Sequence, residues 1–434
     1  MKPSSTLLIF ISIFTFFAFM AQAQQTISGV PAKSAADFLN SLGINTHVAQ
    51  GYNPKNYIEP LKYTGIRNIR DASKNLSGYF MLHKETGVRV DLLGSKLHEL
   101  IPAAQTLAKH GVLMAVEGPN EPNNWPITYK GEKGGGKGSW KAVAQFQRDL
   151  YHTVKSDPLL KDYPVFHISE GGAQTDNVGL QFLTIPEGAG TLMPAGTIYA
   201  DYANAHNYVS GNGGRHVDNQ AWNAADPMLD SFWDGLYGNY GRTWRKKYKG
   251  YSNEELMRLP RVSTETGWAT KKGVSEERTQ GVMLVNTYLA QFKRGWAYTF
   301  VYQLGEAQGS KGLQGIYRKD WTPKAAAHYI HNLTSILADT GAGSSKPGSL
   351  AYRIYNQPDT VHDLLLQKSD GRFFLVVWGE KVKGDNDIVI QLAEPAAKIK
   401  IFDVTAGSEP QKTLSDALEI PLTLNDHALI LEFH

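Results

Sequence analysis

The chain of 434 residues contains no cysteine. That removes disulfides, cysteine nucleophiles, zinc–thiolate sites, iron–sulfur clusters and thiol redox chemistry together. Neither sign of charge is in real excess. The 44 Lys and Arg against 41 Asp and Glu leave a formal net charge of +3, too little to imply nucleic acid or an anionic membrane as partner. Beyond residue 20 no apolar run reaches membrane-spanning length. There is no internal repeat and no glycine-rich first turn of the dinucleotide-binding kind. No His, Asp and Glu stand at metal-ligand spacing either, so neither a metal nor a cofactor is expected. Gly131–Gly138 resembles a phosphate loop, but Gly138 stands where a Ser or Thr must hold magnesium. A loop at the rim of a site is the better reading.

What is present is an ordinary globular balance, 42% hydrophobic and 20% charged, in a chain long enough to bury a large core. Aromatics are the one excess, at 11% with nine Trp and twenty-one Tyr. At the start, Lys2 precedes an apolar run from Leu7 to Met20, broken by Ser12 and Thr15 and followed by Ala21-Gln22-Ala23. A positive start, a short apolar stretch and an A-x-A site describe a signal peptide cleaved after Ala23. The expectation is a soluble protein, secreted or periplasmic.

From residue 24 onward, short β-rich runs alternate with amphipathic stretches. The runs begin at Leu42, Ile66, Val88, Leu113, Val165, Tyr202, Arg261 and Tyr298. Between them, Lys96–His110 carries Leu97, Leu100, Ile101, Ala104 and Leu107 at helical spacing. Helices are also expected near Tyr57–Tyr63, over Ala142–Val154, from an N-cap at Ser275 to Arg294, and over Ala325–Leu337. Eight such units predict a (β/α)₈ TIM barrel over residues 24–342, because parallel strands need crossover helices and the eighth closes the sheet. Gly341–Gly348 reads as a linker. Residues 343–434 are then all-β, with Asp370-Gly371 marking a hairpin turn, and predict a β-sandwich.

In such a barrel the reactive groups stand at the C-terminal ends of the strands. Strand four ends in Glu117-Gly118-Pro119-Asn120-Glu121-Pro122-Asn123 and strand seven in Ser263-Thr264-Glu265-Thr266-Gly267-Trp268. Two carboxyls on non-adjacent strand ends can face each other across the mouth, which is what cleaving a glycosidic bond requires. With Asn120-Glu121-Pro122 on strand four and Glu265 on strand seven, the chain resembles glycoside hydrolase clan A, most like families thirty-nine and thirty. The resemblance covers the barrel in strand order. It implies a retaining enzyme acting on β-linked poly- or oligosaccharide, with Glu121 as general acid/base and Glu265 as nucleophile. It further implies that Asn120 meets the sugar 2-hydroxyl, that Arg70 contacts the nucleophile and that Tyr208 hydrogen-bonds it. The chain departs from family five in carrying Asp91 after strand three and Tyr302-Gln303 at strand eight.

The remaining candidates surround this pair. Trp125 and Trp268 follow the two motifs and are expected to stack on sugar; His47 and His206 divide between sugar ligands and polar core. Glu117 reads as a satisfied carboxylate inside the barrel, and Glu170 and Glu306 as substrate-binding groups. The catalytic carboxyls should lie about 5–5.5 Å apart, with the proximity of Glu265 raising the pKa of Glu121. A monomer is expected. A transglycosylase would use the same carboxylates, and a non-catalytic carbohydrate-binding barrel would have lost one of them.

Overall fold

A computed structural model describes residues 27–171, 182–209, 216–229, 250–270, 273–307, 313–339 and 346–434. The proposed signal peptide lies outside the described residues, and of residues 273–275 only the helical backbone is described.

Eight parallel strands make up the barrel: β1 (Leu42–Asn45), β2 (Asn68–Ala72), β3 (Arg89–Leu93), β4 (Leu113–Glu117), β5 (Val165–Phe166), β6 (Ala203–Asn204), β7 (Arg261–Thr266) and β8 (Tyr298–Val301). They pair in the order β6-β7-β8-β1-β2-β3-β4-β5. The ring closes between β5 and β6, where Phe166 bridges Tyr202 and the His167 N–H donates to Tyr202 O at 2.9 Å. Registry sets Asn45 beside Arg70 and Arg70 beside Asp91, so polar side chains come to one level inside the barrel.

Helices α1 (Lys55–Thr64), α2 (Leu76–Thr86), α3 (Leu97–Lys109) and α4 (Lys141–Ser156) follow the first four strands. The connection after β6 carries α5 (Gln220–Ala224) and α6 (Asn253–Arg258); α7 (Gly273–Lys293) and α8 (Ala325–Ile336) follow β7 and β8. No helix follows β5 among the described residues. Two helices differ from expectation. Helix α7 begins at Gly273, so Ser275 lies inside its first turn rather than capping it. Helix α2, unforeseen, is capped by Asn75, whose side chain accepts from Gly78 N–H at 3.3 Å.

The barrel floor is apolar: Met114, Ala115, Phe166, Val262 and Phe300 form one cluster. Gly43 on β1 leaves room for it, since a Cβ there would stand 2.4 Å from the Phe300 ring. Above this floor the interior turns polar and charged.

The C-terminal region holds β9 (Ser349–Tyr355), β10 (Val361–Gln367), β11 (Phe373–Gly379), β12 (Asn386–Asp403), β13 (Lys412–Leu424) and β14 (Ala428–Phe433). Strand β12 is unusually long, and its pairing with β13 slips between Gln391 and Ala396. Its first half pairs with β9 and its second with β14, so the sheet folds over on itself. Val361, Leu365, Leu375 and Val377 thereby face Tyr352, Ile388, Ile390 and Leu392 in one apolar core. The alternate residues Leu364, Leu366, Phe374, Val376 and Trp378 join the core of the barrel. The β10–β11 turn contains Asp370-Gly371 as expected, with Gly371 at φ +89°. Two short strands near the start of the chain, Gly29–Pro31 and Lys33–Ser34, pair with β9 and β10. The N-terminal residues counted with the barrel thus complete the C-terminal sheets.

Candidate active site

At the mouth of the barrel, Arg70 on β2 gathers the carboxylates. Its Nε and Nη2 donate to the two oxygens of Glu117 at 2.7 and 2.8 Å, a bidentate pair. Its Nη1 donates to Glu265 Oε1 at 2.8 Å and its Nη2 to Asn120 Oδ1 at 2.9 Å. All of Arg70, Glu117 and Asp91 are buried. Burial would lower the guanidinium pKa, but the charge and hydrogen bonds of Glu117, then Glu265 and Asp91, hold it above its ordinary value. Burial also pushes Asp91 well above the carboxylate range, reinforced by the charge of Glu117 against the opposing pull of Arg70. Glu117 meanwhile is held low by Arg70 despite its own burial. One charge balance follows: Glu117 ionised and Asp91 neutral, its acid proton available to Glu117. That proton accounts for the Asp91 oxygens, which otherwise make no hydrogen bond.

Glu265, at the end of β7, receives the Tyr208 hydroxyl on Oε2 at 2.7 Å in addition to Arg70 on Oε1. Glu121 sits just beyond β4 in the left-handed region at φ +40°, a conformation that costs a non-glycine residue energy and that clusters at functional sites. Its carbonyl accepts from the N–H groups of Asn124 and Trp125, both at 2.8 Å, which fixes the turn. Its carboxylate takes His206 Nδ1 on Oε1 at 2.7 Å and Asn124 Nδ2 on Oε2 at 2.8 Å. His206 Nδ1 stands 3.6 Å from Glu265 Oε2 as well. One oxygen of each glutamate and one His206 ring nitrogen therefore lie within 4.8 Å of one another.

The expectation of a raised Glu121 is corrected here. Burial alone would raise it, but the hydrogen bond and charge of His206, then Asn124 and Arg70, bring it down to about 2. The sequence could not supply this term, because His206 reaches Glu121 from a strand two positions around the ring. The same convergence qualifies the reading that no metal-ligand group exists: Glu121, His206 and Glu265 come close enough to hold an ion. Arg70 and Tyr208 already occupy the Glu265 oxygens and His206 Nδ1 is spent on Glu121, so the trio reads as a hydrogen-bonded charge network.

The other candidates separate. His47, beyond β1, hydrogen-bonds the Tyr302 hydroxyl through Nε2 at 3.2 Å and is brought down to about 4 by burial, against a raising contact from Gln303. It presents a neutral ring at the mouth. Trp125 is 67% exposed and lines a depression of about 460 Å³ with Asn120, Lys74 and Lys96. Trp268 is corrected: it is 4% exposed, packed against His216 and the core, and presents no open face. Glu306 is tied to Lys324 at 2.5 Å beside a separate cavity, and Glu170 is buried. Groups that the sequence reading did not single out are Asn124, Thr264, which hydrogen-bonds His206 Nε2 at 3.1 Å, and Asn204, which donates to Thr264 and Glu117. Their only sequence signal is position at or beyond strand ends.

No model of a known protein family matches the chain, and comparison with curated proteins finds no match. Solved structures do match. A family 39 glycoside hydrolase from the gut symbiont Bacteroides cellulosilyticus WH2 aligns at TM-score 0.56 and 14% identity, over 92% of this chain and 82% of that one. The fold is one that glycoside hydrolases share. The GH30 subfamily 8 xylanase Xyn30A from Clostridium acetobutylicum aligns at 0.53 and 11% identity, over 91% of this chain and 95% of that one. The GH51 arabinofuranosidase from Xanthomonas axonopodis pv. citri aligns at 0.54 and 10%, over 93% and 98%. These families fall in the range that the strand-four and strand-seven motifs resemble, and the barrel with its appended β-region matches as one unit.

Proposed function

We propose that the chain is an exported glycoside hydrolase that cleaves β-linked poly- or oligosaccharide with retention of anomeric configuration. The observation that carries this reading is the facing of Glu121 and Glu265 with oxygens within 4.8 Å. That separation suits direct attack by a carboxylate, whereas an inverting pair stands about 6.5–9.5 Å apart to admit a water. The Glu265 carboxylate, held by Arg70 and Tyr208, attacks the anomeric carbon and forms a glycosyl ester while Glu121 gives a proton to the departing oxygen. Glu121, now a carboxylate, takes a proton from water, which attacks the ester and frees Glu265.

The proton for the first step is held by the Glu121–His206 pair as a unit. The 2.7 Å contact with His206 is what holds the Glu121 carboxyl low, and a sugar oxygen arriving at Glu121 in place of that contact draws the proton to the carboxyl. Export is proposed from Lys2, the Leu7–Met20 run and Ala21-Gln22-Ala23.

The test uses two variants. Glu265→Gln should lose every substrate alike. Glu121→Gln should lose about 10²–10⁴-fold on natural substrate yet still react with an activated aryl glycoside, and azide should restore its turnover as a β-glycosyl azide. NMR of the first product anomer checks retention. Full activity of either variant on natural substrate would end the assignment. The fold neighbours include a xylanase and an arabinofuranosidase; a screen over β-glucans, xylans, galactans and mannans identifies the sugar of this chain.

A further inference from the structure

Glu380 follows strand β11 in the β-sandwich, but its carboxylate is spent on the barrel. It is buried, and its Oε2 accepts the backbone N–H groups of Ala221 and Trp222 at 3.0 and 3.1 Å, at the start of α5. Its Oε1 accepts Trp378 Nε1 at 3.1 Å, and its carbonyl accepts the Asn219 N–H at 3.1 Å. The neighbouring contacts point the same way. Asn219 donates to Asp359 O at 2.8 Å and meets His362 Nε2 at 2.8 Å, and the Val382 N–H donates to Asp218 at 2.7 Å. The His362 ring stacks on Trp222 at 4.1 Å. The sandwich thus clasps the segment 218–222 of the connection that follows β6.

That segment is bonded back to the active site on both sides of Tyr208. Gln220 Nε2 donates to Val209 O at 2.6 Å, and Asn207 Nδ2 donates to Ala224 O at 3.1 Å. Regular strand structure in β6 ends at Asn204, so the ladder alone does not aim Tyr208. Ser263 and Thr266 hold Asn207 from the barrel side, and Gln220 holds Val209 from the side of the clasp. Between them the Tyr208 hydroxyl lies 2.7 Å from Glu265 Oε2.

We infer that Glu380 is a positioning residue: by fixing α5 it sets the Tyr208 hydroxyl on Glu265, and so makes the β-sandwich part of the catalytic apparatus. The catalytic consequence rests on the proposed function, but the geometric claim does not. Several charged or titratable groups surround Glu265: Arg70 from β2, Glu121 beyond β4, His206 and Tyr208 beyond β6, and Tyr302 beyond β8. Of these, the clasp governs Tyr208. Around Glu380 itself stand Arg294 from the end of α7, the indoles of Trp222 and Trp378, and, across the Trp222 ring, His362.

The experiment is a ¹³C-NMR titration of the glutamate carboxyls, with Glu265 assigned by its loss in Glu265→Gln. It needs no substrate. Tyr208→Phe should move the Glu265 midpoint upward, because the carboxylate loses a hydrogen bond. Glu380→Ala should shift it the same way, and the double variant should shift it no further. Gln220→Leu, which leaves the clasp and cuts only the link to Val209, should also shift it, which keeps the claim testable if Glu380→Ala fails to fold. Glu380→Gln should restore part of the wild-type midpoint. Arg278→Ala, at another contact between barrel and sandwich, should lower Tm without moving Glu265. An unmoved midpoint in Gln220→Leu or Glu380→Ala, or shifts that add in the double variant, would overturn the inference. A wild-type chain inactive on every glycoside, with the shifts still present, would instead sink the proposed function alone.

Discussion

The two interiors of this chain are built on opposite principles. Inside the sandwich, Val361, Leu365, Leu375, Ile390 and Leu431 meet with no charged group among them. Inside the upper barrel, Arg70, Asp91, Glu117, Asn204 and Thr264 are equally buried, and they hold one another by charge and hydrogen bond. The sandwich gains from every methylene it buries, at roughly 25 cal/mol per Å². The barrel gives up that gain and carries desolvated ions, whose mutual attraction barely offsets the loss of water. The difference teaches where each region's purpose lies: stability in the first, a fixed field at Glu265 and Glu121 in the second.

The largest effect should come from breaking the barrel network unevenly. Glu117→Leu leaves Arg70 buried without its bidentate partner and should cost about 3–5 kcal/mol, read as a fall in the denaturation midpoint. Leu375→Ala, in the sandwich, should cost about 2–5 kcal/mol for an ordinary cavity. The contrast sharpens in the double variant Arg70→Met/Glu117→Leu. It should recover most of the lost stability, since an apolar pair replaces an ionic one, and on the proposed function it should lose hydrolysis because Glu265 has lost its cation. A double variant as unstable as Glu117→Leu would mean that the network is kept for stability after all.

This contrast also explains what could be read beforehand. The barrel strands were legible because apolar runs alternate with amphipathic helices, and the two facing glutamates because strand ends are where such barrels place chemistry. Arg70, Asn120, Tyr208 and the two glutamates do meet. What pairwise spacing cannot carry is the ring itself: His206 meets Glu121 across 85 residues and Arg70 meets Glu265 across 195. Hence the Glu121 shift was expected with the wrong sign. Strand β13, which pairs only with β12, carries a period-two pattern in Leu418, Ile420, Leu422 and Leu424, in keeping with the all-β reading of this region. Trp268 was misjudged because adjacency to Glu265 says nothing of which way an indole turns. Glu380 gave no signal at all, since its importance comes from a contact 159 residues away.

A smaller effect separates the seam between the two regions from either interior. His427 lies between Asp403 and Asp426 at 3.2 and 3.3 Å, and Asp426 is bound by Arg278 of α7. Burial would lower the imidazole, but the hydrogen bonds and charges of those aspartates raise it from 6.5 to about 9. A group raised on folding stabilises fully below its unfolded pKa and loses that contribution as pH climbs through the folded one. Tm should therefore fall between pH 7 and pH 9, by on the order of 2 kcal/mol in stability, and His427→Gln should flatten that limb. A limb that persists in the variant would assign the fall to other groups.

The smallest effect on stability should fall at Trp125, which belongs to neither interior. With 67% of its surface exposed, replacing it by Ala removes little buried area, and Tm should stay within the change expected of a surface substitution, about 0.5 kcal/mol. Its consequence should be for binding. The depression it lines reaches Asn120, whose Oδ1 is fixed by Arg70, so under the proposed function a sugar residue stacked on the indole would lead toward Glu121. Stacking on an aromatic face contributes about 0.5–1.5 kcal/mol beyond area, so KM for an oligosaccharide should rise roughly up to tenfold with kcat nearly unchanged. An activated monosaccharide glycoside, too short to reach the depression, should show no change. Trp125→Phe should fall between the two, because a smaller ring keeps part of the face. If both substrates respond alike, Trp125 acts on the Glu121 turn through its backbone neighbour rather than on sugar, and the path of the chain across the barrel mouth must run elsewhere.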